Sequence, residues 1–191
     1  MKNILLVILI SIFLIGSLLK GYSQTVVAQR QPAGEKSIPK NVMSTFKERY
    51  PDVLVKTWYV THLTYWQNDY SSDWYSGWYG PRKVVVYTYE KPNYFEVEFI
   101  DDPGETSRAI YNIYGYWYET RTLIKGLTKG IHEALKNSKF SDWKISPTME
   151  KLESAAWPDP IYRFHVSKGL KSRIIRMDAQ GNLIQVKDLE N

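Results

Sequence analysis

Residues 65–79 concentrate the side chains most suited to contact chemistry: Tyr65, Trp66, Tyr70, Trp74, Tyr75, Trp78 and Tyr79, separated only by Gln, Asn, Asp, Ser and Gly. Phenol and indole rings offer broad, rigid faces at low entropic cost. Ser, Gly and Asn between them add adaptable hydrogen bonds, the mixture that binding loops favour. The same stretch also reads as a long β-hairpin whose rings pair across strands and cap a core, at roughly 0.2–1 kcal/mol per pair. The two readings are compatible, because a hairpin can bury one face and present the other. Trp117, in a later strand-like segment, joins the candidate binding set.

Covalent and metal chemistry find less support. His62, His132 and His165 lie far apart with no metal-ligand spacing, and each reads as an ordinary surface residue. Ser-x-x-Lys occurs at Ser17, Ser37, Ser44 and Ser141 in unrelated contexts, without the companion motifs of a serine acyl-enzyme. Asp101-Asp102-Pro103-Gly104-Glu105 lacks the alternating oxygen ligands of a calcium loop and reads as a turn. There is no phosphate-cradling glycine loop, and no carboxylate pair can be placed in one cleft. With no cysteine, thiolate metal sites, disulfides and Cys nucleophiles are excluded. The expectation is a non-enzyme with no catalytic residue, metal site or cofactor.

The elements that must position the aromatic residues follow from periodicity. Ile38, Val42, Phe46 and Tyr50 form one helical stripe, with Pro39 suited to the first turn and Pro51 ending it. A second stripe runs Leu127, Ile131, Leu135. Phe95, Val97 and Phe99 alternate with Glu96 and Glu98, and Tyr162, Phe164 and Val166 alternate with Arg163 and His165, as strands with one buried face. Asn112 with Gly115, and Asp178 with Gly181, mark two hairpin turns. Helix and hairpin thus recur, which predicts an α+β fold of two tandem units. Each unit is one helix packed on an antiparallel sheet of four strands, possible partners in one larger sheet, with the other sheet face open. The boundaries are 38–125 for the first unit, with an aromatic insertion at about 63–82, and 126–191 for the second.

The segments "IPKNVMSTFKERYPDVLVKTW", "YFEVEFI", "LTKGIHEALKNSKFSDWKI", "YRFHV" and "MDAQGNLIQV" carry a resemblance. Together they resemble the PepSY-like proteins of Gram-negative envelopes, which are structurally similar to the β-lactamase inhibitory protein. The resemblance spans residues 38–188 and rests on pattern and duplication. It implies an exported, non-enzymatic, protein- or peptide-binding module. Thr128 stands where Pro39 would recur, and Phe140-Ser141 where Tyr50-Pro51 would. The aromatic insertion lies outside the pattern. No segment matches the inhibitor's contact loops, so no site residue is carried over.

The chain opens with Lys2, an apolar run from Ile4 to Leu19 and the small residues Gly21 and Ser23. This pattern reads as a secretory signal, residues 1–23, cut after Ser23. Sixteen residues fall short of the roughly 20 that span a bilayer. Residues 24–37 read as a flexible leader. Net charge is +5, and about +3 once Lys2 and Lys20 leave, too little for a nucleic-acid partner. Lys168, Lys171, Arg173 and Arg176 read as a charged strand edge that resists aggregation. The expected protein is periplasmic in a Gram-negative cell, or secreted, with no stable membrane insertion after cleavage. Its expected partner is an envelope or secreted protein or peptide; the alternative is a cell-wall or other glycan at the same Tyr/Trp surface.

Overall fold

The computed structural model describes residues 24–28, 30–61, 83–87, 94–101 and 104–185. The elements run β1 (Gln24–Ala28), β2 (Arg30–Ala33), a 3₁₀ turn (Glu35–Ser37), α1 (Lys40–Arg49), β3 (Leu54–Thr61), β4 (Lys83–Tyr87), β5 (Tyr94–Asp101), β6 (Glu105–Asn112) and β7 (Trp117–Ile124). They continue with α2 (Lys129–Lys136), β8 (Lys144–Ser154), β9 (Trp157–Lys168) and β10 (Lys171–Met177). Strands β1 and β4 pair antiparallel as a separate ribbon. All other strands form one eight-stranded antiparallel sheet, ordered β10-β9-β8-β7-β6-β5-β3-β2.

This sheet corrects the expectation of two tandem helix-plus-four-strand units. β7 and β8 pair directly from Glu119↔Ser154 to Ile124↔Met149, so the hydrogen-bond ladder runs unbroken across the middle of the chain. A separate unit ending at β7 would leave that edge unpaired, a template for aggregation. The strand count also differs. Among the described residues three strands follow α2, and after the turn at Asp178 an isolated bridge, Met177↔Leu183, continues the pattern. At the other end β2, from the segment expected as leader, adds to β3 as an edge strand. Pro32 falls in this edge strand, the position within a sheet that proline tolerates.

Both helices lie on one face. Ile38, Val42 and Phe46 pack against Trp58, Phe95, Val97, Phe99, Ala109 and Tyr111. Ile131 and Leu135 pack against Ile124, Met149, Phe164, Val166, Ile175 and Met177. Between the two clusters the same face carries a buried Ser107–Thr122 hydroxyl pair at 2.9 Å. The helix ends obey local chemistry. Pro39 precedes the first residue of α1 without a side-chain cap, and Tyr50, before Pro51, ends it; Thr128 Oγ1 accepts from the Ile131 N–H at the start of α2.

The opposite face was expected to be open, and this is a second correction. Glu96, Ile110, Arg121, Glu150, Leu152, Ile161 and Arg163 on that face are all buried. The alternating charges that read as solvated are paired with one another instead. Arg108 meets Glu96 at 3.6 Å and Glu98 at 3.0 Å, Arg30 meets Glu96 at 3.1 Å, and Arg163 meets Glu150 at 2.5 Å. His165 is half-buried, not a surface residue, whereas His132 is exposed.

Candidate functional site

Of the eight candidate binding residues, Trp117 lies among the described residues. Tyr65, Trp66, Tyr70, Trp74, Tyr75, Trp78 and Tyr79 lie outside them, as does His62. Trp117 opens β7 opposite Tyr111, at a register shift between Ile110 and Tyr111. Such a bulge re-aims a side chain relative to the regular pleat. The Trp117 indole N–H donates to Thr120 Oγ1 at 2.9 Å, and Thr120 Oγ1 meets the Tyr50 hydroxyl at 2.6 Å. Arg49, in the last turn of α1, lays its guanidinium over the indole, 3.4 Å from the ring centroid, and donates from Nε to the Tyr50 hydroxyl at 3.2 Å. Burial raises the Tyr50 phenol above its ordinary range, against the lowering effect of Thr120 and Arg49, so the hydroxyl stays protonated as a hydrogen-bonding hub.

Trp117 and Arg49 form one wall of a cleft of about 260 Å³, and the β8–β9 hairpin forms the other with Glu153, Ala155, Trp157, Pro158 and Asp159. The hairpin is tied to β7 where the Ala155 N–H donates to the Tyr118 carbonyl at 2.9 Å. Two prolines stiffen the Trp157-Pro158-Asp159-Pro160 segment, so Trp157 is held on a restrained backbone. The volume is below the roughly 300–1,000 Å³ of small-molecule pockets. Arg49 is engaged by the Trp117 ring and Glu153 by Lys151 at 3.5 Å. Trp157 and Arg49 were not picked out from sequence; the Pro-flanked Trp157 was the available signal, but its proximity to Trp117 comes from the β7–β8 pairing.

A second aromatic strip runs through Tyr118 of β7. The rings of Tyr116 and Tyr118 lie 5.0 Å apart and those of Tyr118 and Tyr94 6.0 Å apart. The strip leads to the β6–β7 turn, where Ile113, Tyr114 and Tyr116 are all exposed.

The charged groups of the opposite face are paired with one another. Burial raises the Glu96 carboxyl above its usual range, while Arg30 and Arg108 oppose that shift. Arg30 also stacks over Tyr59, 3.6 Å from the ring centroid, which fastens β2 to the sheet. Among the described residues no group of three or more His, Asp or Glu side chains could hold a metal ion. The described basic residues Lys171 and Arg173 lie on β10, the edge of the sheet, and are exposed.

No protein-family model matches the chain, and no curated protein matches it. Solved structures share its fold. A BLIP-like protein from Bacteroides fragilis superposes with a TM-score of 0.53 at 16% identity, over 78% of this chain and 84% of its own. DUF2874 family proteins from Bacteroides ovatus and Bacteroides uniformis each give a TM-score of 0.50, at 19% and 15% identity; the first covers 78% of this chain and 86% of its own, the second 77% and 86%. At these identities the likeness concerns the fold: the chain has a BLIP-like architecture.

Proposed function

We propose that the chain is a non-enzymatic binding module of the bacterial envelope, exported to the periplasm, that holds a protein or peptide partner at its aromatic surface. The observation that carries this is the cleft between Arg49-stacked Trp117 and Pro-flanked Trp157. It is smaller than the usual small-molecule pocket and walled by the residue types that dominate binding hot spots. The BLIP-like fold supports an inhibitor-like mode of protein contact, and kinship with PepSY-like proteins, without their two-unit plan, is part of the same proposal. The apolar opening of the chain, Ile4 to Leu19, supports export, and no helix among the described residues is long and apolar enough to cross a membrane. The aromatic segment 65–79 is proposed as a second contact region.

The test uses the protein from Gln24 onward, immobilised against an envelope extract. The captured partner is identified, purified and titrated by calorimetry. Trp157→Ala weakens its binding at least tenfold with folding intact, and Trp74→Ala or Trp78→Ala does so if segment 65–79 is an anchor. A parallel titration with cell-wall glycan fragments addresses the alternative ligand: heat there, and none with any protein, overturns the protein-partner proposal.

A further inference from the structure

Two turns in this fold share one backbone hydrogen-bond pattern and display different side chains. In the β6–β7 turn the Asn112 side chain accepts from the N–H groups of Tyr114 at 2.9 Å and Tyr116 at 3.0 Å. In the turn after β10 the Asp178 side chain accepts from those of Gln180 and Asn182, both at 2.9 Å. Gly115 and Gly181 both have positive φ, 81° and 92°. Each turn is pinned to the start of a helix. Asn41 Nδ2 donates to the Ile113 carbonyl at 3.0 Å, and Thr128 Oγ1 donates to the Ala179 carbonyl at 2.7 Å.

The second turn carries Ala179, Gln180 and Asn182, so this geometry asks for no large apolar side chain. The first turn carries Ile113, Tyr114 and Tyr116 at the matching positions, exposed by 42%, 82% and 53%. Neither folding of the turn nor core packing accounts for them. Their backbone is already immobilised by five hydrogen bonds, including Gly115 N–H to the Asn112 carbonyl and Asn112 N–H to the Tyr116 carbonyl, both at 3.0 Å. A rigid convex tip loses little entropy on docking, and tyrosine is a favoured anchor at such contacts.

We infer that the Ile113–Tyr116 turn is a knob that seats in an apolar recess on a partner protein, with the Tyr116–Tyr118–Tyr94 strip as its flank. This rests on the proposal that the chain binds a protein, and adds a contact separate from the Trp157 cleft. A folded protein suits the tip better than a bilayer. One aliphatic side chain provides little insertion, and two phenolic hydroxyls ask for fixed acceptors.

The experiment places a photoreactive benzoyl-phenylalanine at position 114, and in a second protein at position 180, in cells that produce the chain. Position 114 yields one discrete protein adduct and position 180 none. The cross-linked protein is purified and titrated with three forms: wild type, Tyr114→Ala, and the triple variant Ile113→Ala/Tyr114→Gln/Tyr116→Asn, which transplants the second turn's side chains. The triple variant melts at the wild-type temperature within a few degrees and binds at least 30-fold more weakly; Tyr114→Ala loses at least fivefold. Equal adducts at both positions, adducts to lipid alone, or triple-variant-sensitive binding to phosphatidylglycerol–phosphatidylethanolamine vesicles overturns the inference. Wild-type affinity in the triple variant with loss in Trp157→Ala overturns the knob and leaves the cleft standing. Wild-type affinity in both removes both contacts.

Discussion

Arg49 and Trp117 are stacked, the guanidinium carbon 3.4 Å from the centroid of the indole, although 67 residues separate them along the chain. The contact joins the last turn of α1 to the first residue of β7 and forms one wall of the cleft. Arg49 is exposed. Arg49→Ala should therefore cost only about 0.5–1 kcal/mol of stability in urea titration. It should shift tryptophan emission and weaken partner binding by more than its stability cost. Arg49→Lys keeps the charge but loses the planar stack, and should restore little of the binding.

The Tyr111 hydroxyl is buried without a hydrogen-bond partner among the described residues. Tyr111→Phe removes a desolvated polar group and keeps the ring that packs edge-on to Phe46. It should stabilise the fold by about 1 kcal/mol or more. Burial also holds the Tyr111 phenol well above its ordinary range. As pH rises past about 10 the unfolded chain loses that proton first, so stability falls. The substitution should flatten part of that alkaline loss, leaving the component of the same sign from Tyr50. Thermal melts from pH 7 to 11 measure both effects.

Glu96 contributes a pH dependence of its own. Its carboxyl is raised by burial, so between the unfolded value near 4.5 and the raised folded value the native state holds the extra proton. Its contribution to stability therefore grows as pH falls from neutral toward 4.5, and is lost as pH rises through the folded value. Glu96→Gln is neutral throughout. The stability of the wild type minus that of Glu96→Gln should rise on acidification over this window, as measured by denaturant midpoints.

Glu150 and Arg163 form a buried pair at 2.5 Å on adjacent strands. Arg163→Met leaves a carboxylate buried without that partner and should cost about 3–5 kcal/mol. Glu150→Leu combined with Arg163→Met should recover most of this loss, because apolar replacement of both members removes the unpaired charge. A double-mutant cycle gives the coupling.

Among the described residues Gly104, Gly115, Gly169 and Gly181 have positive φ, and their surroundings differ. A Cβ at Gly104 meets nothing within 4 Å, one at Gly115 meets the Asn41 carbonyl oxygen at 3.0 Å, and one at Gly181 meets Ala134 Cβ and the Gly130 carbonyl oxygen at 2.6 Å. Alanine at Gly104 should cost only the backbone strain of about 1–2 kcal/mol. Gly115→Ala should cost more, and Gly181→Ala most, because there α2 must shift. Urea midpoints should follow that order.

Much of this molecule was legible along the chain because local chemistry decides it. Pro51 stops α1, Asn112 with Gly115 and Asp178 with Gly181 make turns, and Gly104 at positive φ lets β5 turn into β6. The strands bearing Phe95, Val97, Phe99 and Tyr162, Phe164, Val166 were marked by alternation, which depends only on the pleat. Alternation says that Glu96 and Arg163 point away from the helices; it does not say what they meet. That they are buried against Arg30, Arg108 and Glu150 was decided by register between strands distant in sequence. The same non-local pairing, β7 with β8, merged two expected units into one sheet and brought Trp157 to Trp117. Short-range signals therefore determined the helices, the alternating strands and the turns, and long-range strand pairing decided the strands at 24–33, the single sheet, the covered charged face and the cleft.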